Sequence, residues 1–136
     1  MNILAKIFNR ASDPSGPSDG LQQQEREAII DLLLLCMYAD NHLSLAESKV
    51  LTDKIEAFDW DSPTYIDIYI SDSTAKVRRA LADSKLEEDL LHSLRERIVS
   101  DHAKHKAKTS MYTLFYSDGE DEKERQFRHK VTQILN

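Results

Sequence analysis

The sequence predicts an all-α fold, a helical bundle of about six helices built from two pseudo-repeated helix-loop-helix units. Three observations lead there. With only three Gly and three Pro in 136 residues and 31% of them charged, the composition is that of a helix-rich chain, not a sheet protein. Apolar residues recur at three- and four-residue spacing between helix-capping signatures. A pattern centred on Tyr38-Ala39-Asp40 returns in the second half as Tyr116-Ser117-Asp118.

Residues 1–11 form a short amphipathic N-terminal segment. Ile3, Leu4, Ile7 and Phe8 fall on one helical face, with Lys6 and Arg10 elsewhere on its surface. So short a helix is marginal in water unless its apolar face docks. It either packs back on the core or associates weakly with a membrane surface or a partner. Residues 12–20 are a linker rich in Ser, Pro and Gly, without an apolar residue. The domain proper spans 21–136.

Residues 22–39 predict a helix whose apolar positions, Ile29, Ile30 and Leu32 to Met37, surround it almost completely, which puts it at the centre of the bundle. Residues 44–58 predict an amphipathic helix through Leu45, Val50, Leu51, Ile55 and Phe58, stopped by Asp59-Trp60-Asp61. Ser62 and Pro63 suit an N-cap and a first helical position. The β-branched stretch in 64–82 resembles a strand but has no partner strand, so two helical pieces broken near Ser71-Asp72-Ser73 are expected. Residues 84–102 predict one helix, capped by Ser84 with Glu87 three residues on and faced by Leu86, Leu90, Leu91, Leu94 and Ile98. Residues 103–117 and 122–135 supply the last two helices.

The repeat is most legible at the loops. Leu32 to Tyr38 ends at Asp40, and Ser44-x-x-Glu47 then forms a capping box, in which each side chain accepts from the other's amide. In the second half Met111 to Tyr116 ends at Asp118, and Asp121-x-x-Glu124 is the second box, after a loop one residue shorter. An apolar helix, then an Ala-Asp-Gly type of turn (Ala39-Asp40-Asn41 and Ser117-Asp118-Gly119), a short gap and a Glu opening the next helix, present once in each half, resembles the tellurite-resistance TerB family. The first copy carries Asn41 where that family usually has Gly, and the second lacks a counterpart of Leu43. The resemblance covers residues 21–136 and implies an all-helical module, a stress-response setting and acidic, cation-binding sites, without implying a defined reaction.

The residues themselves point to similar chemistry. Capping alone accounts for Glu47 and Glu124. Asp40 and Asp118 sit at helix C-termini, where free carbonyls and the negative end of the dipole disfavour a carboxylate unless something compensates. Opening amides of the next helix, a Lys or Arg, or a cation would do so. Carboxylates with backbone carbonyls are ligands for Ca²⁺ or Mg²⁺. The candidate metal ligands are therefore Asp40, Glu47, Asp118, Glu120 and Glu124, with the second loop the richer: five acids and one Lys lie between Asp118 and Glu124. His102 and His105 have a spacing that can ligate a metal, but the run 101–108 reads better as a solvated cationic stretch.

A formal net charge of −6 argues against a general nucleic-acid binder. Cys36, the single cysteine, lies in an apolar helical run and reads as a buried, reduced thiol of a cytoplasmic protein. No apolar run approaches the ~20 residues of a membrane span, and no phosphate-binding loop, zinc-protease or nucleophile-elbow motif is present. The expected function is a non-enzymatic binding module whose acidic loops hold a divalent cation or the basic surface of a protein partner. The alternative is an interaction or membrane-adaptor domain without metal, peripheral at the inner membrane and targeted through residues 2–10.

Overall fold

The computed structural model describes residues 19–39, 45–116 and 122–135. Among them there are six helices and no strand: α1 (Gln23–Tyr38), α2 (Leu45–Glu56), α3 (Ile66–Ala82), α4 (Ser84–Arg97), α5 (Asp101–Tyr116) and α6 (Glu122–Leu135). The central position of α1 follows from its composition. Ala28, Ile29, Ile30 and Leu32 to Met37 are all buried, so every side of the helix needs a neighbour, and all five other helices touch it. The single thiol, Cys36, is buried within it.

The remaining helices contribute one apolar face each. Val77 and Ala80 of α3, Leu90, Leu91 and Leu94 of α4, and Val131 and Leu135 of α6 complete the core. On α5 the buried face is Ala103, Ala107, Ser110, Met111 and Leu114, with its small residues in the first half. Small side chains let two helix axes approach closely, which suits a helix packed against the crowded α1.

Three boundaries differ from those the sequence predicts. First, α3 is one unbroken helix through Ser71-Asp72-Ser73. Serines favour turns when their hydroxyls compete for local backbone, but the Ser73 hydroxyl is buried and donates to Asp31 of α1 instead. Second, Ser62 and Pro63 do not open that helix. Ser62 Oγ accepts from the Thr64 amide (3.2 Å), Trp60 Nε1 donates to the Thr64 carbonyl (2.8 Å), and the helix starts after Tyr65. Third, residues 84–102 are not one helix. α4 is capped by Asp83, which accepts from the Lys85 and Leu86 amides, and it ends at Arg97. Ser100 then opens α5, its hydroxyl accepting from the Ala103 amide (3.0 Å).

The start of α1 is tied to three other parts of the chain. The fully buried Arg26 guanidinium grips Asp19 through Nε and Nη2, both at 2.8 Å, and also donates to the Leu21 carbonyl. Asp19 accepts further from the amides of Leu21 (3.0 Å) and Asp59 (2.9 Å), and its carbonyl meets His102 Nε2 at 2.9 Å. Asp19 and Gly20, the last two residues of the stretch that reads as linker, are thus anchored in the fold. Burial opposes ionisation of Asp19, but Arg26 and the Asp59 and Leu21 amides outweigh it and hold its pKa at about 2. Gly20 has φ +71°, and a Cβ there would lie 3.0 Å from His102 Nε2.

Two outcomes follow from this anchor. Gly20→Ala should lower the thermal midpoint, the left-handed backbone alone costing about 1–2 kcal/mol, with displacement of His102 in addition. The depressed Asp19 pKa contributes stability that is present above its ordinary value of 3.8 and lost as the pH falls towards about 2. The difference in urea midpoint between the unsubstituted protein and Asp19→Asn should therefore shrink across that window.

Candidate functional site

The loop residues predicted as cation ligands, Asp40, Asp118 and Glu120, lie outside the described residues, as do the side chains of Glu47 and Glu124 and the caps at Ser44 and Asp121. What the structure does describe is the helices that lead into those loops. Glu25 of α1 accepts from both the amide (3.0 Å) and hydroxyl (2.9 Å) of Ser100, which opens α5. Burial opposes ionisation of Glu25, yet the Gln22 and Ser100 donors prevail and lower its pKa. The two helices therefore start side by side. Each is 16 residues, about 24 Å, and they pack along one another, so they run in the same direction. Their C-terminal ends, Tyr38 and Tyr116, lie at one end of the bundle.

Both ends carry a cation over an aromatic ring. The Arg78 guanidinium sits 5.1 Å from the Tyr38 ring centroid, and Arg128 sits 5.1 Å from that of Tyr112, one turn before the end of α5. Positive charge near a helix C-terminus opposes the negative end of its dipole. Tyr38 is half-buried under Arg78.

The strongest polar centre among the described residues is elsewhere, at Asp31 in the middle of α1. This side chain is fully buried. One oxygen accepts from Tyr69 Oη (2.9 Å) and from the Ser73 hydroxyl, and the other from Lys76 Nζ (2.8 Å) and Arg97 Nη2 (2.7 Å). Tyr69, Ser73 and Lys76 are four and three residues apart, a single stripe of α3. Arg97 reaches in from the last turn of α4, steadied by the Ser93 hydroxyl at 3.0 Å. Burial, and then the charge of Asp31, push the Tyr69 hydroxyl well above its ordinary pKa, so it remains a donor. Burial alone would lower the pKa of Arg97, but the Asp31 carboxylate overrides it and raises the value.

Two cations on one carboxylate leave one positive charge uncompensated within this cluster. Lys76, whose side chain is 42% exposed, carries it to the surface. There it joins Arg79, Leu86 and Leu90 in lining a cleft of about 310 Å³ between α3 and α4, with Asp89 and Ser93 opposite. Asp31 itself is too deep and too fully committed to take up a ligand. Its chemistry is positional, fixing α3 and α4 against α1.

The sequence held a signal for this centre. Asp31 is the only charged residue between Ala28 and Tyr38, and charged side chains are almost never fully buried unless paired. Its partners, 38 to 66 residues away in sequence, carry no comparable mark. The histidine run behaves as a largely solvated stretch. His102 is used by Asp19, His105 is exposed, and His92 stands on α4 beside Glu88. Among the described residues, no group of three or more His, Cys, Asp or Glu is arranged to hold a metal. Nor is any described helix long and apolar enough to cross a membrane. No family model, no curated protein and no solved structure matches the chain.

Removing the carboxylate should expose what it holds. Asp31→Asn leaves Lys76 and Arg97 converging on a neutral amide and should cost about 3 kcal/mol in chemical denaturation, the low end for a broken buried pair because Lys76 is partly solvated. Combining Asp31→Leu with Lys76→Met and Arg97→Met should recover most of that loss, since replacing a whole buried ion cluster by apolar groups is often neutral.

Proposed function

We propose that this chain is a non-enzymatic binding module of the TerB type, acting in a cytoplasmic stress response. Its two acid-rich interhelical segments hold a divalent cation, Ca²⁺ or Mg²⁺, or the basic surface of a protein partner. The carrying observation is that α1 and α5 start side by side and run the same way. The helices that lead to Asp40 and Asp118 therefore end at one end of the bundle, which supports a reading in which Asp40 and Glu47 act together with Asp118, Glu120 and Glu124. Supporting the pseudo-repeat is the parallel between α1 followed by α2 and α5 followed by α6, each first helix ending near a Tyr covered by an Arg. A cation among these carboxylates would relieve their mutual repulsion and their conflict with two helix C-termini.

The rival reading is a partner adaptor that needs no metal. It is favoured by Tyr65 and Ile68 at the start of α3, which are 77% and 52% exposed. Large apolar side chains so open to water suit a contact surface.

Thermal melts with and without Ca²⁺, Mg²⁺, Mn²⁺ and Zn²⁺ separate the two. A cation that binds only the folded chain should stabilise it by about 2.7 kcal/mol at a concentration about a hundred times its Kd. Asp118→Asn should abolish most of that gain while being neutral or slightly stabilising without metal. Glu124→Gln, which can still close a capping box, should fold normally but lose part of the response. A melting temperature indifferent to millimolar divalent ions would defeat the cation reading and leave the adaptor.

A further inference from the structure

A second cleft, of about 360 Å³, lies between the C-terminal half of α2 and the first turns of α3. Ile55 forms one wall, Ile66 and Ile70 the other, and Phe58 and Trp60 belong to the connection between the helices. Ile55, Trp60, Ile66 and Ile70 are only half-buried, so an apolar trough is left incompletely covered. Its rim is acidic: Glu56 at the end of α2 and Asp67 in the first turn of α3 are both exposed. An apolar trough with an acidic rim selects a short amphipathic helix with basic flanks.

The chain carries such a helix-forming stretch, and the fold brings its tether to this place. Residues 2–10 present Ile3, Leu4, Ile7 and Phe8 on one face, with Lys6 and Arg10 beside them and no acidic residue. The described structure begins at Asp19, whose carboxylate accepts from the amide of Asp59, between the two cleft residues Phe58 and Trp60. Residues 11–18 can span at most about 28 Å when extended, and a nine-residue helix is about 14 Å long. The tether is therefore anchored beside the cleft and long enough to lay the segment in it. A link this short holds its cargo at an effective concentration on the order of millimolar, so even a weak contact is well occupied.

We propose that residues 2–10 dock in cis into the α2/α3 cleft. The apolar stripe covers Ile55, Trp60, Ile66 and Ile70, and Lys6 and Arg10 face Glu56 and Asp67. The occupant is this chain's own segment. This inference is independent of any cation at the acidic loops.

Trp60, the single tryptophan, lines the cleft and reports its occupancy. In the full-length chain, Ile7→Asp combined with Phe8→Asp should shift Trp60 emission to longer wavelength and increase acrylamide quenching, with helical circular dichroism unchanged. A synthetic peptide of residues 1–11 added to that variant at millimolar concentration should reverse both changes. Glu56→Lys with Asp67→Lys should give the same exposed signature, and adding Lys6→Glu with Arg10→Glu should restore the protected one. That rescue would not occur if the reversed charges had merely disturbed the fold. Identical Trp60 emission and quenching in the unsubstituted and Ile7→Asp/Phe8→Asp chains would overturn the proposal. So would a segment that leaves Trp60 unaffected yet carries the chain onto vesicles of phosphatidylglycerol and phosphatidylcholine, since its apolar face would then serve a membrane.

Discussion

The fold depends on how one carboxylate is accommodated in the middle of its central helix. A helix buried on all sides has no surface to which a charge can escape, so Asp31 must be neutralised by what packs on it. It is neutralised by a stripe of α3 and by one arginine of α4. That requirement sets the rotation of α3 about its own axis, because Tyr69, Ser73 and Lys76 reach the carboxylate only together. It also explains why the Ser71-Asp72-Ser73 sequence does not break the helix. The hydroxyl that would disturb its own backbone is bound by a neighbour. Apolar packing alone would tolerate several orientations of α3, whereas a buried ion cluster accepts one.

A second set of polar contacts fixes direction where the first fixes rotation. Asp19, Arg26 and Glu25 join the start of α1 to the corner after α2 and to the start of α5. Asp31 lies six residues beyond Glu25, about 9 Å further along the helix. The two centres are therefore successive clamps on the same element, with uninterrupted apolar packing beyond them towards Tyr38. Among the described residues no such clamp lies at the other end, from which the chain continues into the two acid-rich stretches. On the function proposed above, ligand chemistry belongs to the end away from these clamps.

This division bears on how such a domain can work. The clamped end is built from ionised groups that stay charged across the physiological range, with Asp19 and Glu25 both held below the usual carboxylate values. It is a fixed base. From that base the described chain presents two surfaces of different character: a cleft beside Lys76 and Arg79, and an apolar trough between α2 and α3. Chemically distinct surfaces on one clamped bundle support the proposed reading of a module that holds partners.

The helical class, the identity of the central helix and the exact span of α6 were all legible in the sequence, because each rests on periodicity, which is a local property. Leu32 to Met37 could be placed at the centre from their spacing alone. The boundaries at Tyr65, Asp83 and Ser100 were not legible. At Ser100 a distant group decides, Glu25 taking its amide and hydroxyl, and within α3 Asp31 takes the Ser73 hydroxyl; before Tyr65 and at Asp83 one local signal won over a neighbouring one. The acidic residues predicted as ligands came from a pattern in residues outside the described structure, and only the helix ends that lead to them are in view. Asp31 carries a mark in the sequence as a lone charge in an apolar run, though periodicity passes over it, and its four partners carry none. Spacing along a chain reports which face a residue shares; only the tertiary structure decides what that face meets.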